Sequence, residues 1–205
     1  MEYYHNQIVQ KSWEELQTLK KHLKFVLIGG WAIWLYTQAL KSKDIDIIVS
    51  FDQLATLGKL YQLHKNERLK KYEAVKESIQ IDIYFPYFST LGLPVEKLLI
   101  NSQSFEGFQV LIPDYLFVLK LYTLAQRGRS PKGRKDFLDL ISLLGKQAVD
   151  YPQVLQIIKS YRLQQTLKVF KQFLDESTQI EELNLNPHFF AKTKKRVLRD
   201  LELTV

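Results

Sequence analysis

Phe25-Val-Leu-Ile-Gly-Gly-Trp-Ala32 and, one short helix later, Ser42-Lys-Asp-Ile-Asp-Ile-Ile-Val49 decide how this chain folds. The apolar run Phe25 to Ile28 predicts a buried strand that ends at Gly29-Gly30, and the spacing from Trp31 to about Leu40 predicts a helix. The β-branched stretch Asp44 to Val49 predicts the next strand. Asp44 and Asp46 are two apart, so on a strand both carboxylates share one face while Ile45 and Ile47 take the other. Ile79-Gln-Ile-Asp-Ile-Tyr-Phe85 alternates in the same way and sets Asp82 opposite its isoleucines. If these strands are neighbours, three carboxylates converge. Their repulsion predicts a divalent cation, with oxygen donors favouring Mg2+ and admitting Mn2+. Gly29 and Gly30 let a ligand reach the backbone, and the free N–H groups of the Trp31 helix favour phosphate. A phosphate site facing a metal site is what metal-assisted phosphoryl or nucleotidyl transfer requires. Each fragment alone has a plain structural reading, as a turn, an edge strand or a capping aspartate.

Around these strands the pattern gives a helix from 5 to 23 (Ile8, Trp13, Leu16, Leu19, Leu23) and another from Phe51 to Leu63. Strands are predicted from Leu69 to Val75 and Ile79 to Phe85 about a turn at Lys76-Glu77-Ser78, a short helix from Pro94 to Ile100, and one strand from Phe105 to Ile112. At Pro113 the pattern becomes helical: Leu116, Leu119, Tyr122 and Leu124, then Phe137, Leu140, Ile141 and Leu144, then Val154 and Ile158, then Leu167, Phe170 and Leu174. Pro187 opens a last helix to about Glu202. The expected class is α+β: a small mixed sheet flanked by helices over 1–113, followed by a helical bundle over 114–205 whose first helices contribute to the active site.

The 205 residues are 46% hydrophobic and 25% charged, enough for a packed core. Without cysteine there are no disulfides, thiolate nucleophiles or zinc–thiolate sites, and His5, His22, His64 and His188 are scattered. The apolar run Phe25 to Tyr36 is too short to span a membrane, no apolar leader precedes it, and a cytoplasmic protein is expected. The net charge of +7 is uneven: 13 basic and 13 acidic side chains lie in 1–115, and 16 and 9 in 116–205. That asymmetry suits a polyanion, although a solvated helical surface would explain it too. Six cations and no acid lie from Lys120 to Lys135, in a run with Gly128, Ser130, Pro131 and Gly133; such a loop can hold phosphates or RNA. Lys120 stands among apolar residues, a costly place for an ammonium unless it is paired or reaches a cleft. Lys132 and Lys135 precede Asp136 and Asp139 by four, so solvated helix pairs would account for those acids.

Leu27-Ile-Gly-Gly-Trp-Ala32 with Ser42-Lys-Asp-Ile-Asp-Ile47 resembles the DNA polymerase β-type nucleotidyltransferase superfamily, and within it the AbiEii/AbiGii toxin-like family. Pro113-Asp-Tyr-Leu-Phe-Val-Leu-Lys120 and Arg134-Lys-Asp-Phe-Leu-Asp139 are similar to later family segments, so the likeness runs from about Phe25 to Leu144. Leu40 stands where many relatives carry arginine, and the commoner Gly-Ser is Gly-Gly. The resemblance implies transfer of a nucleoside monophosphate from an NTP with release of pyrophosphate. It implies metal ligation by Asp44, Asp46 and Asp82, with Lys120 and Asp136 as further catalytic residues and Asp139 a lesser candidate. Gly29, Gly30, Ser42, Lys43, Lys120 and Arg134 would contact the nucleotide. It also implies an RNA or tRNA acceptor and a toxin with a cognate antitoxin. The rival expectations are an antibiotic-modifying nucleotidyltransferase and a catalytically silent basic module that binds nucleic acid or a partner protein.

Overall fold

Seven short strands form one mixed sheet in the order β3-β4-β5-β2-β1-β7-β6, in a computed structural model that describes residues 2–146 and 148–201. In chain order, α1 (Glu2–His22) leads into β1 (Val26–Ile28), α2 (Gly29–Thr37), β2 (Ile45–Ile48) and α3 (Leu54–Leu60). Then come β3 (His64–Asn66), β4 (Lys71–Lys76), β5 (Ile79–Tyr84), α4 (Val95–Ile100), β6 (Ser102–Phe105) and β7 (Phe108–Leu111). The remainder is α5 (Pro113–Arg127), α6 (Pro131–Gly145), α7 (Tyr151–Ser160), α8 (Gln164–Glu176) and α9 (Pro187–Asp200). Glu202, where the last helix is expected to end, and the side chain of His5 lie outside the described residues. By its own contacts the chain divides into two compact units, Met1–Ile112 and Pro113–Val205. Among the described residues no helix is long and apolar enough to cross a membrane.

In the first unit, β1 runs parallel to β7 and antiparallel to β2, and β2 runs parallel to β5. The central strands earn their place by alternation: Ile45, Ile47, Ile81 and Ile83 are fully buried, as is Leu27 of β1. Burying each such side chain is worth about 1.5–3 kcal/mol. Glu15 of α1, itself buried, accepts hydrogen bonds from Tyr61 Oη and from Lys76 Nζ (2.7 Å) of β4. This tie fastens the first helix to the sheet.

Three elements depart from expectation. The helix after β1 begins at Gly29 rather than Trp31, so both glycines form its first turn, and it stops at Thr37. The helix expected to reach Leu63 ends at Leu60, leaving His64–Asn66 free to form the outermost strand. The single strand expected from Phe105 to Ile112 is a hairpin of β6 and β7, turning at Glu106 (φ 49°) and Gly107 (φ 74°). Two positive φ angles match the right-handed strand twist. β6 carries Ser, Gln and Ser at the sheet edge, where one ladder of backbone groups faces no strand and apolar alternation is not required.

The second unit is helical throughout. Phe170 is its aromatic pivot, with its ring centroid 5.9 Å from Phe117 and 6.0 Å from Phe137. Helix starts follow the sequence chemistry. Ser130, Asp150 and Asn186 cap backbone N–H groups of α6, α7 and α9, each followed by proline in the first turn.

Candidate active site

The pairing registers bring Asp46 and Asp82 side by side. Asp46 of β2 pairs with Asp82 of β5, Asp46 also faces Ile28 of β1, and Asp82 faces Glu73 of β4. One row across four strands therefore carries three carboxylates on the face opposite the buried isoleucines. Glu73 was not expected from the sequence. It belongs to the row only because β4 pairs with β5 in this register, and Tyr72 and Ala74 beside it give no chemical cue.

The glycine turn closes the other side of Asp46. Gly29 has φ +66°, and a Cβ built there would lie 2.2 Å from Asp46 Oδ2. The carboxylate thus occupies the space that any larger residue at position 29 would fill, and the positive φ independently favours glycine. Gly30 is buried in the first turn of α2. Asp44 sits at the bend just before β2, one residue outside the strand expected to carry it, and is half-buried like Asp46. Ser42 is buried and Lys43 exposed ahead of it.

Asp82 is already engaged. Lys71 Nζ donates to Asp82 Oδ2 at 2.6 Å and lies 2.9 Å from Glu73 Oε1, while Gln80 Nε2 donates to Asp82 Oδ1 at 2.9 Å. Burial alone would push the Lys71 ammonium down. The bonds and charges of Asp82 and Glu73 outweigh burial and hold it above the ordinary lysine value. The bond from Lys71 in turn holds the Glu73 carboxyl below its usual range, against partial desolvation. Among the described residues no three acidic or imidazole side chains are gathered so as to hold a metal ion. The repulsion expected to recruit a cation is relieved, at Asp82 and Glu73, by a lysine.

In the second unit Lys120 Nζ lies 2.8 Å from Asp136 Oδ1 and 2.8 Å from Asp139 Oδ2, and Arg127 Nη1 donates to Asp136 Oδ2 at 2.8 Å. The two aspartates are each only 1% exposed. Both acids are buried, so the solvated helix pairs that the spacing allowed do not account for them. The apolar stripe of α6 turns both acids inward, toward α5. Burial opposes the Lys120 charge, but Asp139 and Asp136 more than offset it and raise its pKa. Neither Asp139 oxygen has a hydrogen bond of good geometry, so its link to Lys120 is chiefly charge on charge. Arg134 forms a two-pronged bond to Glu182 (2.8 and 2.9 Å) on the surface. Lys120, Asp136 and Arg134 therefore all have protein partners in this unit.

No protein-family model matches the chain, and no curated protein is significantly similar to it in sequence. Solved structures are similar in fold. JHP933 of Helicobacter pylori aligns with TM-score 0.53 at 12% identity, covering 95% of this chain and 94% of that one. The antibiotic-resistance factor ANT(2'')-Ia aligns with TM-score 0.52 at 13% identity, over 80% and 97%. A proposed nucleotidyltransferase of H. pylori aligns with TM-score 0.51 at 15% identity, over 98% and 96%. The chain shares the fold of these structures; membership of the AbiEii/AbiGii family gains no support from these likenesses.

Proposed function

We propose that the first unit carries a nucleotidyltransferase site, moving a nucleoside monophosphate from an NTP to an acceptor hydroxyl or phosphate. The observation that carries this reading is the Asp46 carboxylate seated against Gly29 with Asp82 beside it in register. The acceptor oxygen forms a bond to the α-phosphorus, the bond from that phosphorus to the bridging oxygen breaks, and pyrophosphate leaves. Asp82 takes the acceptor proton, its free lone pairs steered by Lys71 and Gln80. The first turn of α2 offers N–H groups to the triphosphate.

The donor set also suits Mg2+ or Mn2+. Magnesium is commonly held by one or two carboxylates plus substrate phosphates rather than by a full protein cage, so Asp44 and Asp46 would hold it together with the NTP. When bound, the ion supplies charge neutralisation of the triphosphate. Lys71, fixed beside Asp82, supplies a permanent positive charge on the other side of the row.

RNA or tRNA is the acceptor we favour, on the excess of basic residues after Leu116. The toxin role and a cognate antitoxin rest on the AbiEii/AbiGii resemblance alone. An antibiotic is the second acceptor, favoured by the fold likeness to ANT(2'')-Ia. Incubating the protein with α-labelled NTPs, Mg2+ and either tRNA or a panel of antibiotics decides between them by which product carries label. Asp46→Asn is expected to abolish labelling. Undiminished labelling by that variant, or no labelled product from the wild type with any NTP, overturns the assignment.

A further inference from the structure

All three tryptophans of the chain meet in one cluster. Trp13 of α1 lies 5.0 Å from Trp31 and 5.2 Å from Trp34 of α2, and the latter two are 5.4 Å apart, centroid to centroid. Their environments differ. Trp31 is 1% exposed and its indole N–H donates to the buried Ser12 hydroxyl at 2.9 Å, so it is a core anchor. Trp13 and Trp34 are half-buried, and with Val9, Gln10, Trp31 and Lys41 they line a cavity of about 230 Å³.

The cavity has the chemistry of a base site. It falls below the roughly 300–1,000 Å³ of pockets that enclose whole drug-sized ligands, so it suits one ring system. The Trp13 and Trp34 rings pack edge to face at 5.2 Å, so a base would stack on the open side of an indole rather than between the two. Lys41 Nζ, 5.8 Å from the Trp34 centroid, is exposed and lines the same cavity. Trp34 and Lys41 also belong to segments that build the candidate site: α2 starts at Gly29, and Lys41 precedes Asp44 by three residues.

We propose that this cavity binds a single nucleobase against the open sides of Trp13 and Trp34 while Lys41 pairs with the adjoining phosphate. Its use for the terminal nucleotide of an acceptor strand rests on the transferase reading above; base binding itself does not.

The test follows tryptophan emission of the full-length protein, without metal or NTP, during titration with a short single-stranded RNA and, separately, with AMP. Because every tryptophan lies in the cluster, a saturable change reports on it. RNA is expected to bind more tightly than AMP. Trp34→Ala is expected to weaken RNA binding about 5- to 100-fold, the worth of one base–aromatic stack. Lys41→Glu, at an exposed position that leaves the core intact, is expected to weaken binding and lower the salt dependence by about one released counterion. No saturable change, or unaltered affinity in Lys41→Glu, overturns the base site, whether or not Trp34→Ala folds. AMP binding as tightly as RNA overturns the acceptor assignment and leaves a mononucleotide site. Saturable RNA binding by a wild-type protein that transfers no label from any NTP sinks the transferase reading while the base site stands.

Discussion

Two lysines neutralise two pairs of carboxylates in this protein, and the pairs differ in what surrounds them. Lys71 bridges Asp82 and Glu73 on adjacent strands, where the Asp82 side chain keeps 14% exposure and Glu73 keeps 28%. Lys120 bridges Asp136 and Asp139 on one helix, where both acids are 1% exposed. The first pair of acids keeps contact with water; the second pair is closed off from it. The Lys120 cluster reads as a structural knot, since removing one partner from a buried pair strands an uncompensated charge.

That contrast can be broken most directly at Lys120. Lys120→Ala is expected to cost about 3–5 kcal/mol in urea denaturation, the range for a broken buried pair. A loss below that of Lys71→Ala would reverse the comparison. pH sharpens it further. The Lys120 pKa is raised above the ordinary 10.5, so its contribution is fully present below 10.5 and is lost as pH climbs through the higher folded value. The stability gap between wild type and Lys120→Ala should hold steady from neutrality to 10.5 and narrow above it, as read by melting temperature.

Lys71→Ala comes next, at about 1–3 kcal/mol, because Asp82 and Glu73 can rehydrate partly. With Asp44 and Asp46 as the ligands, the same variant should bind Mg2+ no more tightly by isothermal titration; tighter binding would mean that Lys71 and the ion compete for Asp82. Gly29→Ala is expected to cost about 1–2 kcal/mol from its left-handed backbone. It should also lower labelling from α-labelled NTP, since the new Cβ displaces the Asp46 carboxylate. The smallest effect belongs to Arg134→Ala, whose surface bond to Glu182 is worth about 0–1 kcal/mol and weakens with salt.

Much of the first unit was legible in advance because its central strands are short, β-branched and buried on one face. The strand ending at Gly29, the strand with Asp46 and the strand with Asp82 stand within a residue or two of expectation. The edge strands β3 and β6 were not, since edge residues answer to solvent and carry little apolar alternation. At the site, a row of carboxylates could be suspected from Asp-Ile-Asp and Ile-Asp-Ile. Lys71 and Glu73 could not, because strand spacing says which face a residue takes but not which strand lies opposite.

Periodicity and residue chemistry, both local, fixed the sequence-level outcome: an α+β chain turning helical at Pro113, a glycine turn before a two-aspartate segment, and a third aspartate on an isoleucine strand. Pairing register and burial, both collective, decided the rest. They set Asp46 against Gly29, gave Asp82 a lysine where a metal ion was expected, sank Asp136 and Asp139 into the bundle, and gathered Trp13 with Trp31 and Trp34 beside one pocket. Register and burial depend on every neighbouring element at once, and no window of the chain contains them.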